Sequence, residues 1–121
     1  MSSQVEVSPS FVPEESRPDE GIYFFSYLVK IHNKGPRPAT LKQRKWIITD
    51  AWGRVEIIEG PGVVGQQPRL NPGEVFEYNS FCPLPTATGS MKRHYQMSHD
   101  DGTEFKVEIP EFFLVEPNHY N

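Results

Sequence analysis

Ile22-Tyr-Phe-Phe-Ser-Tyr-Leu-Val-Lys-Ile-His-Asn33 is the stretch on which the fold turns. Taken alternately, Tyr23, Phe25, Tyr27, Val29 and Ile31 fall on one face. Ser26, Lys30 and His32 fall on the other, together with Phe24 and Leu28. Side chains of a strand alternate across its two faces, so this period of two describes a strand with one wholly apolar side and one mixed side. A strand of that kind belongs in a two-layer sheet structure.

The same period recurs on both sides of it. Val5 and Val7 alternate with polar residues from Gln4 to Ser8, and Leu41 to Thr49 ends in Trp46-Ile-Ile-Thr49. Val55 to Ile58 follows a tight turn at Asp50-Ala-Trp-Gly53, Leu70 marks a short piece, and Val75 to Ser80 runs on to Cys82. Met91, Tyr95 and Met97 share a face, with Arg93 on the same side. Asp100-Asp-Gly102 is a hairpin signal ahead of Phe105, Val107 and Ile109. Asn71-Pro-Gly73 suits a type II turn. Twelve prolines and nine glycines leave no window for a long helix. The reading is all-β, with seven to eight short, mostly antiparallel strands in a sandwich or barrel. Pro9 to Gly21 is expected to be a long loop. Pro110 is expected to stop pairing and to leave Phe112 to Val115 as a short edge piece.

At 121 residues the chain fits one domain, residues 1–121, able to bury roughly two thirds of its unfolded surface. A single cysteine, Cys82, excludes an internal disulfide. The start has neither a basic nor an apolar leader segment, and no apolar run approaches the roughly 20 residues of a spanning helix. A soluble, cytoplasmic chain is expected. The net charge of −4 argues against nucleic acid as a partner. Lys34, Arg37, Lys42, Arg44 and Lys45 nevertheless cluster, either as a solvated face or as a patch for an anionic partner or a phosphate.

Gly60-Pro-Gly62-Val63-Val64-Gly65 spells G-x-G-x-x-G. That fingerprint holds a pyrophosphate only where a helix opens from it. Here Gln66-Gln-Pro68 and Asn71-Pro-Gly73 forbid a helix, so the dinucleotide reading fails. Two readings remain open: a corner whose glycines allow positive φ, or a nest of backbone amides that binds an anion with Arg44 as charge partner.

No metal site and no cofactor are expected. His32, His94, His99 and His119 are scattered, Cys82 has no paired cysteine, and the turn accounts for Asp100 and Asp101. Ser80, Ser98 and Cys82 lie in no nucleophile motif. The carboxylate pairs Glu14–Glu15 and Asp19–Glu20 fall in a polar loop, so no enzyme activity is expected. Phe24, Phe25, Tyr27, Trp46, Phe76, Tyr78, Tyr95, Phe105 and Phe113 are assigned to the core. Trp52, at a turn, is either a partner contact or a cap on the sandwich end.

In Arg44-Lys-Trp-Ile-Ile-Thr-Asp50, Gly60 to Pro68, Asn71-Pro-Gly-Glu74, Phe76-Glu-Tyr-Asn-Ser80, Gly89-Ser-Met91, Tyr95-Gln-Met97, Asp101-Gly102 and Phe105 to Pro110, the chain resembles the ApaG domain family over nearly all its length. The resemblance implies an immunoglobulin-like or fibronectin type III-like β-sandwich. It also implies a protein-interaction role: the family occurs as small bacterial proteins and as a module of larger eukaryotic ones, F-box proteins included. Bacterial members are linked genetically to cobalt and magnesium resistance and to diadenosine polyphosphate metabolism, and no reaction is assigned to the domain. Two positions depart from the family pattern. Arg93 stands where a second glycine is usual, and Asn79-Ser80-Phe81 stands where Thr-Ser-Gly is usual, so bulk is expected where backbone is ordinarily bare.

The expectation is a non-catalytic interaction or regulatory module with an unidentified protein partner. The Gly60–Pro68 and Leu84–Gly89 loops would present the surface, with Trp52, Arg44 and Lys45 as anchors. The alternative is a sensor for a small anion or nucleotide phosphate, using Gly60, Gly62, Val63, Val64 and Gly65 with Arg44. Homodimerisation through a sheet edge is left open.

Overall fold

The computed structural model describes residues 3–117; Met1, Ser2 and the last four residues, His119 among them, lie outside that range. Eight strands are found among the described residues: β1 (Ser3–Phe11), β2 (Tyr23–Asn33), β3 (Ala39–Asp50), β4 (Val55–Pro61), β5 (Arg69–Leu70), β6 (Val75–Leu84), β7 (Thr88–His99) and β8 (Glu104–Val115). No helix among them is long and apolar enough to cross a membrane.

The alternation in β2 is realised as read: Phe25, Tyr27, Val29 and Ile31 are buried, while Lys30 between them is exposed. One sheet has the order β1-β2-β6. The other has the order β4-β3-β7-β8, with β5 beside the start of β3. All pairings are antiparallel. Trp46, Ile48, Met91, Tyr95 and Met97 of the larger sheet complete the core between the layers. The expected all-β sandwich is therefore observed.

Asn33, wholly buried, fastens one end of the sandwich. Its Nδ2 donates to the carbonyls of Arg37 and Leu70, both at 2.9 Å, and its Oδ1 accepts from the Gly35 amide. The β2–β3 connection and β5 thus share one side chain. A buried amide whose donors and acceptor are all used specifies a unique arrangement.

Three expectations need correction. The loop from Pro9 is shorter than read, because β1 continues to Phe11 and two 3₁₀ turns, Pro13–Glu15 and Pro18–Glu20, occupy most of the remainder. Pro110 does not stop pairing. Met91 faces Phe112 and Arg93 faces Ile109, so Pro110 and Glu111 bulge together opposite Lys92 on an edge strand, where the missing N–H breaks no ladder. The extra residue also inverts the facing of the rest of β8. Phe112 and Leu114 turn inward, and Phe113, expected in the core, stands 66% exposed opposite Ser90.

Candidate functional site

Trp52 sits at the tip of the β3–β4 connection with 67% of its surface exposed. Asp50 builds the turn beneath it. Its Oδ1 accepts from the amides of Trp52 (2.9 Å) and Arg54 (3.0 Å), and its Oδ2 meets Arg54 Nε at 3.3 Å. The Arg54 guanidinium in turn lies over the indole, 5.1 Å from its centre. The Ala51 amide donates to Thr86 Oγ1 at 3.0 Å, which ties this turn to the β6–β7 connection. Beside them a cleft of about 340 Å³ opens between the layers, lined by Ile48, Asp50, Arg54, Val55, Glu56, Pro83, Leu84 and Pro85.

The glycine loop lies elsewhere. From Arg44 to Asp50 alone, six residues of strand span about 20 Å, so Arg44 and the Gly60–Gly65 loop do not join the Trp52 surface. A bulge at Lys42 turns Arg44 toward the face of Tyr95 and Trp46. Its guanidinium lies across Gly60, where an added Cβ would approach Nη1 to 3.2 Å. Arg44 Nη1 donates to the carbonyls of Pro61 (3.1 Å) and Gly62 (2.9 Å). The structure thus does bring Arg44 to the loop, but it is held by carbonyl oxygens. The Gly62 amide donates to Lys42 O, and Val63 and Gln66 exchange a reciprocal pair of 2.8 Å bonds.

Between that pair stand Val64 at φ +42° and Gly65 at φ +78°. Two consecutive positive φ values describe a type I′ turn, which favours Asn-Gly and strains a β-branched residue. Val64→Asn is expected to raise stability by about 1 kcal/mol, read as a higher urea midpoint at unchanged slope.

The basic run does not form one patch. Arg37 pairs with Asp101 at 3.1 Å at the Asn33 end. Lys45 points to the outer face between Glu59 and His94. Partial burial, helped by the Lys106 and Lys45 ammonium groups, holds the His94 pKa below its ordinary value. Phe81 and Arg93, the two departures from the family pattern, do not share a pocket. Phe81 packs at a tilt on Phe24, ring centres 5.4 Å apart, and is 58% exposed, whereas Arg93 is buried between the layers.

Arg93, 3% exposed, has no carboxylate partner among the described residues. Its guanidinium lies instead over the rings of Tyr27 (4.7 Å), Phe112 (5.2 Å) and Trp46 (5.3 Å). Its Nη1 approaches the hydroxyls of Tyr95 (3.4 Å) and Tyr78 (3.5 Å), which bond each other across the layers at 2.6 Å. Ring faces and phenol oxygens replace a counter-ion here. Burial pushes the Tyr27, Tyr78 and Tyr95 phenols above their ordinary value of 10.0, and for Tyr78 the adjacent Tyr95 adds to it.

That shift has a sign. Above pH 10 the unfolded chain ionises these phenols and the folded chain keeps them neutral, so the native state binds more protons and loses stability as pH rises. The contribution is complete below pH 10. Three such groups give a slope approaching about 4 kcal/mol per pH unit. In an alkaline titration, part of the phenolate absorbance should appear only together with loss of the circular dichroism of the sheets.

Burial first, and Glu56 second, push the Cys82 thiol up to about 11, which keeps it from acting as a thiolate nucleophile at neutral pH. No group of three or more His, Cys, Asp or Glu side chains gathers as a metal site among the described residues. What sequence reasoning missed is Glu56 beside the cleft. Counting by twos from Ile58, which packs on the core, puts Glu56 on the inner face, and an acid on the core side of a strand is a legible anomaly.

The comparisons with known proteins agree with this architecture. Residues 13–99 match the family model described as the ApaG domain (DUF525). Protein ApaG of Bdellovibrio bacteriovorus is 52% identical over 94% of this chain and 90% of its own. Protein ApaG of Xanthomonas oryzae pv. oryzae is 53% identical over the same shares, 94% and 90%. The crystal structure of the putative ApaA protein from Bordetella pertussis superposes with a TM-score of 0.93 at 50% identity, covering 95% of this chain and 94% of that one. With two curated relatives and a solved structure alike over nine tenths of their lengths, and the family model spanning most of the sandwich, the chain belongs to the ApaG domain family.

Proposed function

We propose that this domain is a non-catalytic protein-interaction module whose working surface is the Trp52 end of the sandwich. The observation that carries this reading is an indole two-thirds exposed on a turn that hydrogen bonds hold rigid. A preordered aromatic loses little freedom when a partner covers it, and tryptophan is a favoured anchor. The cleft beside it supplies apolar walls from Ile48, Pro83, Leu84 and Pro85. On this reading, the genetic links of the family to metal resistance and diadenosine polyphosphate metabolism run through a protein partner. The Gly60–Gly65 loop acts as a corner, since its amides and Arg44 are largely spent within it.

Quantitative capture from a lysate with wild type and Trp52→Ala tests the reading. At least one partner should fall about tenfold or more with the variant, while the melting temperature stays close to wild type because the ring is mostly in solvent. Identical capture by both proteins would remove Trp52 as the anchor.

A further inference from the structure

The larger sheet ends on β4, and no strand lies beyond it among the described residues. This edge reads Val55-Glu-Ile-Ile-Glu59. Val55 and Ile57 stand on the outer face at 58% and 55% exposure, beside half-buried Ile47 of β3. Glu56 and Ile58 take the inner side, opposite Ile48 and Trp46, and Glu56 lines the cleft between the layers. Neither Glu56 nor Glu59 has an ion-pair partner among the described residues.

We propose that the β4 edge accepts an extended, cationic peptide segment that joins the sheet as an antiparallel strand. The segment carries a Lys or Arg opposite each of Glu56 and Glu59, and apolar side chains opposite Val55, Ile57 and Ile58. Read from its N-terminus it is basic, apolar, apolar, basic, apolar. Main-chain hydrogen bonds to the open edge supply affinity, and the alternating side chains supply selectivity. This deepens the interaction reading above and rests on it.

Charge is what selects this occupant over a second copy of the chain. Antiparallel pairing of two β4 strands with Val55 against Ile57 sets Glu56 against Glu56. Pairing about Ile57 sets Glu59 against Val55 and Glu56 against Ile58, and pairing about Ile58 sets Glu59 against Ile57. Each register opposes like charges or wastes an acid on an apolar side chain. An inward-facing charge on an edge strand guards a sheet against its own kind. The same acid becomes a point of recognition when the incoming strand is cationic.

The test is fluorescence anisotropy of the full chain with two labelled synthetic peptides, Ser-Lys-Val-Val-Lys-Val-Ser and its acidic counterpart Ser-Glu-Val-Val-Glu-Val-Ser, at low ionic strength. The basic peptide should bind at least about tenfold more tightly than the acidic one. The double variant Glu56→Lys/Glu59→Lys should reverse that order, and the bound wild type should gain hydrogen-exchange protection in residues 55–59. Both variant positions are exposed, and a melt confirms that the fold is intact. Binding of neither peptide, or a preference that does not reverse, overturns the proposal. So does a wild-type dimer in sedimentation equilibrium that Ile57→Lys disperses, because the edge then belongs to a second copy. Lysate partners that need Trp52 but ignore the edge charges would sink this proposal alone. A capture set indifferent to Trp52 would remove Trp52 as the anchor and leave the edge to be decided by the peptides.

Discussion

Gly62→Ala should remove about 3–4 kcal/mol or more of stability, a large part of the 5–15 kcal/mol usual for a domain. A Cβ at this position would lie 2.0 Å from the carbonyl oxygen of Gln66 and 2.8 Å from its carbonyl carbon. Those atoms are backbone, so no side-chain rotation relieves the clash. Position 62 also has φ +61°, where a side chain is strained even in open space. The Gly62 amide donates to Lys42 O and its carbonyl accepts from Arg44, so any shift of the loop breaks bonds to β3. Gly65→Ala is the control. Its φ is +78° but an added Cβ meets nothing within 4 Å, so only the backbone strain of about 1–2 kcal/mol should register. Urea unfolding of both variants reads the difference. Equal losses would show that conformation alone, and not the approach to Gln66, makes glycine necessary at position 62.

Arg93→Ala should be comparably damaging, by about 3–5 kcal/mol, because it leaves a large void between aromatic rings that cannot all close on it. Arg93→Met separates bulk from charge. It restores much of the stem volume and drops a buried cation with no carboxylate beside it, so it should stay within about 1.5 kcal/mol of wild type. If Met behaves like Ala, the attraction between cation and ring faces outweighs packing at this site, and the box around Arg93 is electrostatic in origin. The geometry adds a second signature. The Arg93 charge opposes the upward shift of the Tyr27, Tyr78 and Tyr95 phenols. Any folded Arg93→Met protein should therefore hold its phenols neutral to still higher pH than wild type.

The architecture was legible in the sequence wherever a strand keeps its period of two. Tyr23 to Ile31 named its own buried face, and Met91, Arg93, Tyr95 and Met97 were rightly placed on one side. The period failed at a bulge, where Pro110-Glu111 inverted the facing of Phe113, whereas Arg44 keeps the face of Trp46 and braces Gly60. A bulge adds one residue on one strand only, and nothing in a single strand's pattern announces which partner residue it will skip. The site was legible in part. A tryptophan between Asp50 and Gly53 in a tight turn had no core to enter, and exposure was the physical consequence. That Asp50 and Thr86 would fix its turn was not legible, because Thr86 comes from the crossover between layers, thirty-five residues away in the chain. Nor could the aromatic box be read, since Tyr27, Trp46 and Phe112 reach Arg93 from three different strands.

The bulge at Pro110 also bears on assembly. Of the two borders of the larger sheet, β8 carries a proline within a bulge, while β4 is regular over Val55–Pro61. Growth of a fibre by strand addition requires two competent borders, one to receive and one to offer. With only one, the sheet has a valence of one: a single added strand saturates it, and the assembly terminates there. Within the larger sheet, a docking edge can thus stay exposed without that sheet extending at both of its borders.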